Sequence, residues 1–287
     1  MPFVSILEDR LEYFQPPPPP NAPSSPVLVF LHEGLGSIEL WRDFPERLAA
    51  AVELPALIYS RAGFGRSSPL TTPRDIRYLE REASESLPTL LETLNINHPI
   101  LIGHSDGGSI ALLYAAQQNG PRPLGVIAEA AHVFVEDISI TGIRNAVKAW
   151  QTTDLPQKLA RRHNHPEAVF RAWSDTWLAP WFRSWNIERA LATVTCPTLI
   201  IQGDDDEYGT SAQVEAIRRA VAGPAQTLMI PHCGHTPHRD QPDVVCDAIT
   251  KFIRHFRKTE TKTETRKTEK ITNQLHPEAM LPAVAPL

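Results

Sequence analysis

Six short, nearly continuous apolar runs constrain this chain more than any other feature: VLVFL (27–31), ALIYS (56–60), PILIG (99–103), LGVIA (124–128), TLIIQ (198–202) and QTLMI (226–230). A strand with one wet face alternates apolar and polar residues, whereas an unbroken run suits a strand buried on both faces, as in a parallel sheet. Helical periods lie between the runs, and several have recognisable starts. Ser37 is placed to cap a helix running to Leu48. Thr72-Pro73-Arg74-Asp75 reads as a capping box with proline at the first helical position, leading into IRYLEREASESLPTLLETL. Thr210 heads a helix to Ala222, and PDVVCDAITKFIRHF forms one more. Strands alternating with helices imply an α/β fold with a mostly parallel, doubly wound sheet and right-handed crossovers. Ahead of it, PFVSILE and LEYFQ alternate around Asp9-Arg10 as an antiparallel hairpin would.

One interval breaks the rhythm. Residues 137–190 hold helical periods but no strand-like run, and carry Trp150, Trp173, Trp177, Trp181 and Trp185. An insertion this long is more than a loop and reads as a helical cap. The expected organisation is a core in two parts, 1–136 and 191–256, with the cap at 137–190 between them. Residues 257–287, with the low-complexity run KTETKTETRKTEK, form a tail expected to be disordered. Within the cap, eight basic residues face five acidic ones, an excess of three in a chain whose net charge is −5. Among them Arg171 and Arg183 could reach a substrate carboxylate, although solvated helix faces are the plainer reading.

The net charge gives no reason to expect nucleic acid as a partner. No run approaches the ~18 apolar residues of a membrane span, and the acidic start does not read as a signal peptide. Three cysteines, Cys196, Cys233 and Cys246, are an odd number at unrelated spacings, which suits reduced thiols in a cytoplasmic protein. The prolines Pro16 to Pro20 read as a stiff surface connector, with docking to a partner's aromatic groove as the alternative.

The chemistry concentrates in ILIGHSDGGSIALLYAA. A buried strand runs into Gly103-His104-Ser105-Asp106-Gly107, and a helix follows at once. A serine on so sharp a turn needs minimal residues on either side, and its hydroxyl emerges at a helix N-terminus that favours negative charge. Such a serine needs a base, and the base an orienting acid. Three aspartates, Asp204 to Asp206, end one later strand, and His235 follows the next.

On these residues the chain resembles the α/β-hydrolase superfamily over about residues 3–256, and looks like its capped single-domain serine hydrolases. The resemblance implies Ser105 as nucleophile, His235 as base and Asp206, last residue of Gly203-Asp204-Asp205-Asp206, as acid. Some members place the acid one strand earlier, where Glu136 and Asp137 stand. The resemblance also implies an oxyanion hole from the amides of Asp106 and Gly34. Glu33, in His32-Glu33-Gly34-Leu35-Gly36, departs from the family pattern; a carboxylate there would oppose the oxyanion, so it is expected to turn away and pair with Arg61. SRAGFGRS (60–67) reads as a tight structural turn. The substrate pocket is expected to be dry and aromatic, lined by Leu35, His104, Trp173, Trp177 and Trp181. Pro180 should split the tryptophan stripe into two helices. His232, Cys233, His235 and His238 fit no closed zinc pattern, so neither metal nor cofactor is expected. A small-molecule substrate is implied, cleaved at an ester. Carbon–carbon hydrolysis of a keto acid and a hydrolase-like receptor for a small ligand remain alternatives, and the sequence leaves the oligomeric state open.

Overall fold

The computed structural model describes residues 1–117 and 119–257; the expected tail lies outside them apart from Arg257. Eight strands form one sheet: β1 (Phe3–Ile6), β2 (Asp9–Phe14), β3 (Val27–Leu31), β4 (Ala56–Tyr59), β5 (Pro99–His104), β6 (Gly125–Glu129), β7 (Thr198–Gly203) and β8 (Ala225–Ile230). Their order is β1-β2-β4-β3-β5-β6-β7-β8. The hairpin β1–β2 is antiparallel and joins β4 antiparallel, and every pairing from β4 to β8 is parallel. The hairpin turns two residues earlier than the alternation suggests: Ile6 pairs with Asp9, so Leu7 and Glu8 make the turn, with Leu7 at a φ of 51°.

Continuous apolar runs do become doubly covered strands. In β3, Val29 and Leu31 pack to one side with the helix Asp106–Ala116, while Leu28 and Phe30 pack to the other with Trp41, Phe44 and Phe252. The exception is β8. Among the described residues it pairs with β7 alone, and at the sheet edge much of it is half-buried or exposed, Met229 included.

Of the three helix starts, one forms as read. Thr210 Oγ accepts from the Ala212 N–H and opens the helix Ser211–Ala220. Ser37 makes no capping bond; a short 3-10 turn, Ile38–Trp41, follows it, Arg42 breaks the path at a φ of 53°, and the helix runs over Phe44–Val52. Thr72 caps nothing either. The helix begins at Tyr78, because the intervening residues are drawn into tertiary contacts: Arg74 stacks on Phe64 and Tyr78 and donates to the Ala172 carbonyl. Between β6 and β7 the chain forms helices Asp137–Thr152, Leu155–Ala160 and Pro166–Leu178, then 3-10 turns Pro180–Ser184 and Glu188–Thr193. Pro180 does end the tryptophan helix.

Candidate active site

Ser105 stands where β5 gives way to its helix, at φ 53° and ψ −116°, a conformation L-residues rarely hold. The glycines around it are required by space. A Cβ on Gly103 would lie 2.1 Å from the Gly107 carbonyl oxygen, and one on Gly107 would lie 2.0 Å from that of Leu31. Only bare backbone lets the helix press this closely on the ends of β3 and β5. The Ser105 N–H donates to the Glu129 carbonyl of β6 at 2.8 Å, which pins the turn to its neighbour strand.

Two loops at the same edge of the sheet bring their side chains to this serine. His235 Nε2 lies 3.0 Å from Ser105 Oγ, and Nδ1 lies 2.8 and 2.9 Å from the two oxygens of Asp206. Asp206 also accepts from the N–H groups of Tyr208 and Gly209 and from Gln202 Nε2. Burial would raise the Asp206 carboxyl, but His235 and the Tyr208 N–H outweigh it and hold it below its ordinary value. An ionised Asp206 fixes the imidazole proton on Nδ1 and leaves Nε2 free to accept from Ser105. A hydroxyl, an imidazole and a carboxylate in line can move the serine proton as the oxygen attacks a carbonyl.

The other acids take structural places. Asp204 accepts from the His232 N–H, and Asp205 is exposed. Glu136 accepts from Thr210 and Gln213, and Asp137 pairs with Arg183 at the surface.

A cavity of about 380 Å³ opens over Ser105 and His235. Gly34, Leu35, His104, Trp173 and Trp177 line it, joined by His132, Ser139, Ile143, Leu155, Glu207, Tyr208 and Arg239. Trp173 lies close against Gly34, where a Cβ would come within 2.4 Å of the indole. Trp177 Nε1 donates to the Tyr78 hydroxyl, which donates to Asp106, so the inserted helices are tied to the residue after the serine. Trp181 is elsewhere. It is exposed and borders a separate cleft with Arg74 and Arg171, because the chain turns away at Pro180.

Glu33 also departs from expectation. It lines the cavity, and its Oε2 lies 3.4 Å from His104 Nδ1. Arg61, fully buried, donates instead to the backbone carbonyls of His32 and Glu33 and sits 3.8 Å from Asp106. The turn 60–67 thus holds the loop that carries Gly34, a role beyond a tight turn. His132, unremarked in the sequence, packs its ring 5.6 Å from that of His235. Burial first, then the His235 charge, push it down to about 3, so it is neutral. Beneath them Glu129, at the end of β6, accepts from the N–H and ring of His238. The only hint of Glu129 and His132 was polar residues in AEAAH at a strand end. Among the described residues no group of three or more potential ligands could hold a metal ion, and no helix is long and apolar enough to cross a membrane.

A family model described as the alpha/beta hydrolase family matches residues 28–248, and the chain belongs to that family of enzymes. Over 260 residues it is 26% identical to the 2-succinyl-6-hydroxy-2,4-cyclohexadiene-1-carboxylate synthase of Enterobacter sp. (strain 638), covering 81% of this chain and 93% of the relative. It is 24% identical to the mouse sn-1-specific diacylglycerol lipase ABHD11 over 264 residues, 79% and 81% of the two chains. In fold it is similar to the proline iminopeptidase of Mycobacterium smegmatis (TM-score 0.70, 16% identity, 89% of this chain and 98% of that one). It is also similar to a thermophilic esterase of Thermogutta terrifontis (TM-score 0.66, 21% identity, 89% and 99%).

Proposed function

We propose that this protein is a serine hydrolase that cleaves a small carboxylic ester lacking a free carboxylate. The observation that carries the reading is the line Ser105–His235–Asp206 opening into a cavity of about 380 Å³. Ser105 Oγ attacks the ester carbonyl while His235 Nε2 takes its proton. The developing oxyanion sits against the amides of Asp106, first in its helix and so without an intrahelical acceptor, and of Gly34. His235 returns the proton to the departing alcohol, leaving an acyl group on Ser105. Water, deprotonated by His235, then releases the acid. Asp206 stays ionised and holds the ring throughout. The helices between β6 and β7 act as a cap, closing the cavity with Trp173 and Trp177.

The cavity's charges favour a neutral substrate. Its lining carries two carboxylates, Glu33 and Glu207, against one arginine, Arg239. The synthase relatives are named for a succinyl-bearing carboxylate, and the lipase for diacylglycerol. With Glu33 set against His104, and Glu207 matched in number by Arg239, the lining offers a free carboxylate no excess of positive charge, so ester cleavage fits better than hydrolysis of a keto acid.

A fluorophosphonate should label Ser105 and no other residue. Ser105→Ala should cut turnover of p-nitrophenyl acetate or butyrate by roughly 10⁴ or more with the melting temperature nearly unchanged. Undiminished turnover in purified Ser105→Ala, or better use of a dienoate keto acid than of any ester in the series, would overturn the reading.

A further inference from the structure

A half-buried carboxylate, Glu33, and a buried histidine, His104, face each other beside the serine, and ester cleavage by a hydroxyl, an imidazole and a carboxylate does not by itself call for them. Glu33 comes from the loop after β3, His104 from the last position of β5, directly before Ser105. Their Oε2 and Nδ1 atoms are 3.4 Å apart, and His104 is 1% exposed. Gly36 makes room for the carboxylate: a Cβ there would fall 2.4 Å from Glu33 Oε2. The other ring nitrogen of His104, Nε2, lies 2.6 Å from the backbone carbonyl oxygen of His235. A carbonyl can only accept, so Nε2 must carry a proton, and a charged donor makes the shorter and stronger bond.

We propose that Glu33 and His104 are a positioning pair: Glu33 keeps His104 doubly protonated, and His104 thereby fixes the backbone of His235 and so the height of its imidazole over Ser105. The inference rests on the reading of Ser105 and His235 given above. Every titratable neighbour of His104 is accounted for. Glu33 faces it from the β3 loop and Glu129 from β6; the rings of His235 and His238 lie 5.2 and 5.1 Å away, and His132 stands beyond His235. Burial would lower the His104 ring, but the two carboxylates outweigh it and raise it to about 9. The same pairing draws Glu33 well below the ordinary carboxylate range, against its own burial. Glu129 anchors the far end of the loop through His238, so the segment carrying His235 is held at both ends from the sheet. The pairing also explains how a carboxylate is tolerated next to an oxyanion site: the adjacent imidazolium cancels its charge.

The test is the rate at which a fluorophosphonate labels Ser105, followed from about pH 6 to 10.5, which needs no knowledge of the natural substrate. In the unaltered protein the rate should fall on the alkaline side with a midpoint near 9, as His104 loses its proton. Glu33→Gln should lower the rate at pH 8 by about 10- to 100-fold, the cost of a small misplacement of a reacting group. It should also move the alkaline fall downward by about one pH unit or more, toward the ordinary histidine value of ~6.5. A role in stability alone would shift the melting temperature and leave the midpoint in place. A flat rate up to pH 10.5 in the unaltered protein overturns the proposal even if Glu33→Gln does not fold. An unchanged rate and midpoint in folded Glu33→Gln also overturns it, while labelling at Ser105 leaves the serine-hydrolase reading standing. No labelling of Ser105 at any pH sinks both.

Discussion

The strand ends and the inserted helices face each other across one cavity, and they hold their residues by different physics. At the strand ends, side chains are fixed by polar bonds: Asp206 has four partners, the His235 ring has two, Asp206 and Ser105, and Glu129 and His104 clamp the loop between them. The helices of 137–178 meet the cavity mainly through packed side chains, with Trp173 on Gly34 and Trp177 against His132. Their charges stay outside, in exposed pairs such as Lys158 with Asp154 and Arg171 with Glu167. Directional bonds keep reacting atoms in register, whereas apolar packing tolerates change in shape. On the proposed function, the strand ends carry the chemistry and the helices carry the substrate's outline.

The largest effect that would break this division comes from the acid. Asp206→Asn should reduce turnover by about 10⁴, because an amide cannot hold the imidazole with its proton on Nδ1. Asp204→Asn, Asp205→Asn and Glu136→Gln should each stay within about tenfold of the unaltered protein, since each serves the backbone or the surface. The check is kcat/KM on one ester across the four variants. Activity retained in Asp206→Asn and lost in Glu136→Gln would move the orienting acid to the end of β6.

The same contrast explains what could be read in advance. Apolar runs, the glycine spacing around Ser105 and the chain order of serine, aspartate and histidine are local patterns, and local patterns survive in a sequence. The elbow, β3 to β7 and the meeting of Ser105, Asp206 and His235 were legible for that reason. Opposite charge suggests Arg61 as the partner of Glu33; β4 and β5 both flank β3, and the Arg61 guanidinium is taken up by the backbone carbonyls of His32 and Glu33, so the Glu33 carboxylate faces His104 instead. His132, Tyr78 and Arg239 reach the site or its first neighbours only through tertiary packing, and no spacing announces that. The caps at Ser37 and Thr72 failed where an adjoining strained turn or a half-buried arginine outweighed a bond worth about 1 kcal/mol.

A smaller effect tests whether the helices contribute to the chemistry at all. Trp177→Phe keeps most of the apolar body but removes the donor to Tyr78, whose hydroxyl serves Asp106. Burial and the nearby Asp106 carboxylate keep that hydroxyl protonated, so its bond to Asp106 persists in the variant. Stability should fall by about 1 kcal/mol, the typical net worth of one hydrogen bond. KM should shift with substrate size while kcat changes little. A fall in kcat of a hundredfold or more, measured on the same ester series, would show that the elbow depends on the inserted helices and would erase the division.

The smallest expected effect concerns charge. The basic excess of the insertion invites the idea that it draws anionic substrates, with Arg171 or Arg183 as the contact. Arg171 instead pairs with Glu167 one helical turn away and borders the other cleft, and Arg183 pairs with Asp137 at the surface. The arginine that lines the cavity is Arg239, from the strand-end side. Exposed pairs in water contribute little to binding, so Arg171→Ala and Arg183→Ala should change kcat/KM by less than about twofold, for neutral and acidic esters alike. Arg239→Ala should leave a neutral aryl ester equally untouched. Against a carboxylate-bearing analogue it should cost several-fold more, since it removes the arginine of the lining and leaves Glu207 unopposed beside the anion. Comparing the two esters at low and high salt checks both parts. A salt-sensitive preference for the acidic ester that disappears in Arg171→Ala or Arg183→Ala would place the helices' charge inside the binding step, contrary to the neutral-ester reading.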